Sequence, residues 1–560
     1  MSLLRLRGFD LLWLLAFGVA SSAWAVTAAS RLGATFDEPF YLDAGLTSWR
    51  TGSNKKLMSA GTMPLPVDAI TLPVHLWERS RGEEFHAYRD IDRILPVARA
   101  TSLLFWWAAL VYTMRLGRTW GGAWGGRLAV ALIALEPNIL GHAALATTDI
   151  AGVAAMLALA YHFHHGQGMG WGRRVAIPGV LYGVGLLAKA SGMIFGVQAM
   201  LAIGLWHLAA NGALTAPVGS TLRGKALHIW HASYALRKDM VAIGLIGFTL
   251  AFAYVGSDWV AEPTFVKWAE SLPDGTARSA MLPLSRNLTI FPNAGEAILQ
   301  QVKHNIRGHG AWLLGTYHER AHWSYFPIAL AVKTPIPVFA LLIAVLMIRP
   351  RSLVTPLLPI VLFLLAFTLN CRVQIGIRFM FTLMALVNIA LAVAVARTWS
   401  EPGNGRFVPR WFVAALLVAM GAVSVQMWPN GIRFMNQLWG GVETGYLRLG
   451  DSNYDWGQGL PELKAWNEAN NPGQPLAICY FGTDPAILYP PFKPVNLYHD
   501  LQTGTPEEVR RLAGGKYLAV STSALYGYES DKPSHMSAVA WLRATPPVSR
   551  TQTFLIFDLK

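Results

Sequence analysis

Apolar residues in this chain gather into long blocks with mixed, unalternating patterns. They fall near 9–29, 94–115, 126–143, 148–165, 175–190, 191–209, 240–257, 327–348, 353–371, 377–396 and 411–428. Each approaches the roughly 20 residues needed to cross a bilayer. The pattern predicts a polytopic α-helical membrane protein with about eleven transmembrane helices. Helices are favoured over a barrel because each must satisfy its own backbone within the bilayer and no period-2 alternation is visible. The first block follows Arg5 and Arg7. It is long for a signal peptide and has only a weak cleavage pattern, so it reads as a retained anchor.

Polar residues divide unequally between the blocks. With the N-terminus inside, one set of short loops receives Arg115, Arg118, Arg127, Arg173, Arg174, Arg223, Lys225, Arg237, Lys238, Arg349, Arg351, Arg397, Arg406 and Arg410. A basic excess in short loops is what holds one side of a membrane protein in the cytoplasm. An odd number of spans then puts the C-terminus outside. The expected division is a transmembrane domain over 1–429 with external loops 30–93 and 258–326, and an external C-terminal α/β domain over 430–560. In that last part, 460–468 reads as a helix and 475–481 as a strand. Thr505 with Glu508 reads as a capping box, 517–521 as a strand, 534–543 as a helix and 553–557 as a final strand. No glycine-rich nucleotide fingerprint accompanies these elements, and the unit reads as a lid or packing domain.

Composition agrees with this class. Hydrophobic residues make up 53% and charged residues 14%, whereas soluble domains carry roughly 25% charged residues. The net charge of +14 is explained by loop topology, and no nucleic-acid motif accompanies it. Cys371 and Cys479 read as two separate buried thiols.

Candidate chemistry collects where blocks meet external loops. Asp37 and Glu38 open the first loop; His142, Thr147, Thr148 and Asp149 occupy one turn between blocks; Lys189 ends another block and Arg378 begins one. An ionisable residue beside a membrane helix must be paired, solvated or functional. Asp149 as a helix cap and Lys189 as a snorkelling cation are the bland alternatives. Arg378 offers a planar fork suited to phosphate. His318, Glu319, Arg320, Ala321 and His322 also spell H-E-x-x-H, a zinc motif only if it lies on a helix with a third ligand.

Several runs, taken in order, resemble a known group. Asp37, Glu38, Pro39, Phe40, Tyr41 and Leu42 with Ala44 and Gly45 are similar to the first-loop signature of bacterial phospholipid-carrier-dependent glycosyltransferases. These are relatives of the dolichyl-phosphate-mannose protein mannosyltransferases and the lipid A aminoarabinose transferases in the GT-C superfamily. His142–Asp149, Gly185–Ser191, Trp323–Pro327 with Lys333–Pro335, Gly376–Phe379 and Asp451–Gln458 resemble its later motifs. The first loop departs from the pattern, with Thr62, Met63, Pro64, Leu65 and Pro66 in place of a basic residue followed by Pro, Pro, Leu.

The resemblance implies a GT-C-like fold with external loop helices, and a bacterial inner membrane location with the active site and C-terminal domain periplasmic or extracellular. It implies inverting transfer of a sugar from a polyprenyl-phosphate donor, such as an undecaprenyl phosphate, to a hydroxyl of an external glycan, lipid or protein acceptor. Asp37 is the expected general base, with Glu38 beside it orienting the acceptor or replacing it as base. Lys189, Arg378, His142 and Lys333 are expected to receive the phosphate, and Asp149, His318, His322 and Tyr325 to support the substrate site. Paired carboxylates can hold Mg²⁺ or Mn²⁺, but two cations suffice for one phosphate, so no metal is required. The alternative from another class is a secondary transporter or flippase for a lipid-linked saccharide, which predicts repeats or interrupted helices.

Overall fold

The computed structural model describes residues 8–216, 221–257, 259–289, 292–400, 407–501, 504–527 and 536–559. Arg5, Arg7 and Arg406 lie outside them. The chain is a polytopic helical membrane protein, but the expectation of about eleven spans is corrected. Among the described residues, five helices are long and apolar enough to cross a membrane: Gly8–Ala29, Ile91–Ala134, Gly192–Ala210, Tyr234–Val255 and Ile377–Ser400. A sixth is obtained if Tyr325–Lys333 and Ile336–Ile348, bent by 99°, form one span.

The reasons are local. The expected blocks 94–115 and 126–143 fall in one long helical stretch, Ile91–Ala134, which is interrupted at Gly122 (φ 61°, ψ −159°) and followed by the separate short helix Pro137–Ala143. Block 175–190 yields the 12-residue helix Ile177–Ala188, and 353–371 yields Leu357–Thr368, also of 12 residues. Arg410–Gln426 has 17 residues. Asp149–Gly166 ends in a polar turn carrying His162, His164 and His165. Apolar composition marked these runs correctly as buried or lipid-facing, but composition does not count uninterrupted turns. With five spans or six, parity no longer decides on which side the C-terminus lies.

Ile377–Ser400 is central, with 89% of its apolar window buried, whereas only 17% of that of Tyr234–Val255 is buried. Asp10, in the first turn of the first helix, is fully buried between Arg118 and Arg127, the latter donating from Nε at 2.8 Å. Arg118 and Arg127, on either side of the break at Gly122, therefore anchor the first helix. The region 30–93 folds into helices Glu38–Thr51, Lys55–Ser59 and Pro64–Arg81. The region 258–326 contributes three further helices and a hairpin of β1 (Ala311–Leu313) and β2 (Thr316–His318).

The last part of the chain builds a five-stranded sheet from β3 (Leu476–Cys479), β4 (Phe492–Pro494), β5 (Tyr517–Ser521), β6 (Ser549–Arg550) and β7 (Phe554–Asp558), in the order β4-β3-β5-β7-β6. β3 is parallel to both β4 and β5, and β7 is antiparallel to β5 and β6. Successive strand residues point to opposite faces. Ala477, Leu518 and Val520 thus pack with Val509 and Leu542 of the helices Pro506–Ala513 and Met536–Ala544. Leu476, Ile478 and Ala519 pack with Leu460 and Leu463 of Leu460–Asn470. Both cysteines are free and buried.

A buried seam joins this sheet to the helices. Lys333 Nζ donates to the carbonyl oxygens of Ile432 and Phe434, each at 2.7 Å, and of Asn453 at 2.5 Å. The Ala34 amide donates to Asp484 Oδ2 at 2.7 Å, and the Phe36 and Phe481 rings stack at 5.3 Å.

Candidate functional site

Asp37 is the N-cap residue of Glu38–Thr51, yet its side chain makes no capping hydrogen bond. Its Oδ2 instead accepts from Arg378 Nη1 at 2.9 Å and from the Tyr41 hydroxyl at 3.4 Å. The Asp37 side chain keeps 22% of its surface accessible, against 8% for Arg378. Asp149 begins its helix without capping it. Its carboxylate is fully buried, accepts from Lys189 Nζ at 2.5 Å and lies 3.8 Å from Arg378 Nη1. Four of the residues singled out at external margins, Asp37, Asp149, Lys189 and Arg378, are therefore one connected cluster.

Local backbone explains their positions. Lys189 is the C-cap of Ile177–Ala188 in an extended conformation, and the next helix starts at Gly192. The break turns the ammonium inward instead of letting it snorkel. A Cβ at Gly152 would stand 3.2 Å from the Lys189 side chain, so that glycine makes room for the lysine stem. Arg378 sits in a 3₁₀ turn, Ile377–Met380, immediately after Gly376 at φ 137°. A side chain at Gly376 would be strained and would collide with Ser452.

The run 451–458 holds that turn. Ser452 Oγ donates to the Ile375 carbonyl, and the Ile377 amide donates to Asn453 Oδ1 at 2.9 Å. Asn453 Nδ2 donates to the Tyr325 hydroxyl at 2.8 Å. The Arg378 guanidinium lies 4.2 Å from the Trp456 ring centre, a cation–π arrangement that fixes its plane. Its Nε is buried without an acceptor among the described residues.

Glu38 has a different environment. Fully buried, it forms a two-pronged pair with Arg99, at 2.8 Å through Nε and 2.6 Å through Nη2, and accepts from the amides of Thr35 and Ala146. Burial works to raise this carboxyl, but the Arg99 charge and hydrogen bonds, with the two amides, bring it below the usual value. Arg99 also donates to the carbonyls of Ala29, Leu32 and Gly33. The pair ties the end of the first helix to the start of Glu38–Thr51 and leaves Glu38 little capacity for substrate.

Other expected residues stand apart from the cluster. Lys333 spends all three protons on backbone carbonyls of 432–453 and is completely buried. His142 is 1% exposed, donates from Nδ1 to the Asn138 carbonyl at 2.9 Å, and burial pushes its imidazole down to about 4, so it carries no charge at neutral pH. His318 ends β2, and His322 pairs with Ser324 Oγ at 2.7 Å. No helix presents the two imidazoles together, so the H-E-x-x-H string lacks its zinc geometry. Among the described residues no group of three or more His, Cys, Asp or Glu is arranged to hold a metal ion. The Asp37 and Glu38 carboxylates go to separate arginines and do not fit a shared Mg²⁺ or Mn²⁺.

Two cavities meet at the cluster. One, of about 380 Å³, is lined by Asp37, Tyr41, Lys189 and Arg378 together with apolar residues such as Phe195 and Phe367. The other, of about 690 Å³, is lined by Asp37, Arg378, Asp451 and Trp456 and by the ends of the terminal strands. Sequence reasoning missed Tyr41, although it lies one helical turn after Asp37. It also missed Arg99, an arginine inside an apolar block, which signals a buried partner. His304, whose Nε2 is buried on the wall of the first cavity without a partner among the described residues, carried no sequence signal.

No family model and no curated protein matches the chain. Among solved structures it is similar to ArnT from Cupriavidus metallidurans bound to undecaprenyl phosphate, at 13% identity over 98% of each chain with a TM-score of 0.45. The apo form of that protein matches at 14% identity, also over 98% of each chain, with a TM-score of 0.47. The Archaeoglobus fulgidus oligosaccharyltransferase tethered to an acceptor peptide matches at 12% identity over 98% of this chain and 74% of that one, with a TM-score of 0.42. These likenesses are distant, and the functional reading rests on the cluster itself.

Proposed function

We propose that the protein transfers a sugar from a polyprenyl-phosphate carrier to an acceptor hydroxyl, with inversion, in the manner of the carrier-dependent glycosyltransferases its motifs resemble. The observation that carries this reading is the position of Asp37 and Arg378 on the wall shared by two cavities. The narrower cavity has apolar helix residues on which a polyprenyl chain can lie and two cations for its phosphate. The wider one is where the acceptor stands.

In the reaction, Asp37 takes the acceptor proton as the hydroxyl oxygen attacks the anomeric carbon. The bond from that carbon to the phosphate oxygen breaks, and the electron pair leaves with the polyprenyl phosphate. Lys189 and Arg378 neutralise the growing charge through groups already oriented by Asp149 and Trp456, so little reorganisation is needed. The unpartnered Arg378 Nε offers a further N–H to a phosphate oxygen. Glu38 acts as an anchor, with Arg99, for the backbone that carries Asp37. Lys333 fills the break of the bent helix pair with contacts to the terminal segment, which favours an anchored roof over a crossing route for solute.

The test is incubation of the purified protein with a panel of polyprenyl-phosphate sugars and a membrane extract, followed by mass spectrometry of the products. A sugar-sized mass gain on an extract component, lost in Asp37→Asn, is expected. Absence of transfer from every donor by folded wild-type protein contradicts the reading.

A further inference from the structure

The wider cavity is built where the terminal sheet ends. β3 lies between β4 and β5 and is parallel to both, so the chain leaves β3 to one side and then crosses to the other. Open sheets bind ligands in the crevice outside the carboxyl ends of such strands, at the point where strand order reverses. Tyr480 and Phe481 after β3, Val495 and Asn496 after β4, and Ser523 after β5 all line the cavity. The opposite wall carries Asp37, Arg378, Asp451 and Trp456. The terminal unit therefore shapes a binding crevice that opens onto the reacting carboxylate, and does more than cover it.

The walls say what class of molecule belongs there. Phe36, Tyr480, Phe481 and Tyr498 bring four aromatic rings to the crevice, surfaces against which the C–H faces of a sugar ring pack while its hydroxyls remain free for polar groups. The carboxylates are Asp37, Asp451 and Asp500, against one guanidinium, Arg378. Arg378 is already engaged by Asp37 at 2.9 Å. An anionic acceptor would meet uncompensated negative charge, while a sugar hydroxyl would find acceptors. The volume, about 690 Å³, is within the range of small-molecule sites.

Asp451 is the residue best placed to read such an acceptor. It adopts a left-handed conformation at φ 57°, held by its amide donating to Ser523 Oγ at 3.0 Å. Aspartate tolerates that conformation better than most residues, and strained backbone of this kind collects at functional sites. Its Oδ1 accepts the Ser452 amide at 2.5 Å, and no ion-pair partner for it occurs among the described residues. Burial pushes the carboxyl up to about 6, so it is ionised at neutral pH and accepts hydrogen bonds.

We propose that this crevice is the acceptor site, that the acceptor is an uncharged glycan, and that Asp451 selects it by accepting a sugar hydroxyl. The inference rests on the transfer reading above and supplies the acceptor class that reading leaves open.

The experiment uses the full chain in lipid nanodiscs and measures saturation-transfer NMR with maltose, cellobiose and lactose, with phosphorylated counterparts of these sugars, and with a serine- and threonine-containing peptide. Binding of a polyprenyl phosphate is measured separately by tryptophan quenching. At least one neutral disaccharide is expected to bind better than the phosphorylated sugars and the peptide. Asp451→Asn, which keeps the left-handed backbone accessible, is expected to weaken that binding about tenfold, the effect of losing one hydrogen bond to a charged group. Phe36→Ala, at a ring 40% exposed, is expected to weaken it as well; both variants are expected to bind the carrier as the wild type does, Asp451→Asn with the wild-type thermal midpoint and Phe36→Ala, which loses the stack on Phe481, with a slightly lower one. Preference for the phosphorylated sugars or the peptide, no binding of any neutral disaccharide, or unchanged binding in both variants overturns the inference. If the wild type fails to bind the carrier, the transfer reading fails instead, whatever the sugars do.

Discussion

The Asp37 carboxylate goes to Arg378 and Tyr41, while that of its neighbour Glu38 goes to Arg99 and two backbone amides. Substitution should separate the two roles. Asp37→Asn is expected to lower the thermal midpoint less than Glu38→Gln does, because Arg378 keeps Asp149 at 3.8 Å, and to lose about 100-fold to 10,000-fold in turnover, the usual contribution of a positioned base. Glu38→Gln leaves the Arg99 charge buried without its partner and is expected to lower stability by about 3–5 kcal/mol, read as a fall in thermal midpoint. The pH dependence has the same origin. Because the folded Glu38 carboxyl lies below its ordinary 4.5, the stability it contributes is fully present above that value and is lost as pH falls through the folded value. Thermal midpoints measured from neutral pH downward should show this acid loss in the wild type and much less of it in Glu38→Gln. Residue type alone marked Asp37, Asp149, Lys189 and Arg378 as charges set against apolar runs, and these are the ones that touch. Lys333 and His142 gave the same signal and do not join them, because sequence shows that a polar group is buried without showing its partner.

At the scale of elements, the cluster depends on interruptions. Lys189 points inward because one helix ends at Ala188 and another begins at Gly192; Arg378 is aimed by a 3₁₀ turn between Gly376 and Phe381. Gly376→Ala is expected to displace that turn from Ser452 and to reduce turnover more than it reduces expression or carrier binding through Lys189. Steady-state rates set beside quantitative membrane yields would show this. Such interruptions are also where the count of spans went astray. Hydropathy reads the apolar run around 175–190 as a crossing, whereas the chain makes a π-helical turn at Gly172–Ala176 and only 12 residues of α-helix. The strands at 475–481 and 517–521 were legible because alternate residues there bury on opposite faces of a covered sheet. Their parallel pairing and order depend on distant connections, which local pattern does not encode.

Over the whole molecule, the helices and the terminal sheet share one polar seam. Lys333, Asn453 and Asp484 bind across it, and Trp456 reaches from the terminal segment to Arg378. Lys333→Met would leave three buried carbonyls without a donor, each worth about 1–3 kcal/mol. Limited proteolysis is expected to cut that variant faster than the wild type within 430–453, and turnover to fall as the roof loosens. Unchanged cleavage would mean that the seam is held elsewhere.

The central claim is a single displacement in which Asp37 activates the acceptor. Its most direct measurement is the anomeric configuration of the product by NMR, made with a polyprenyl-phosphate sugar of known configuration, in wild type and Asp37→Asn. Inverted product from the wild type, with turnover lost and carrier binding kept in the variant, is the predicted result. Product of retained configuration, or wild-type turnover in Asp37→Asn, would contradict it.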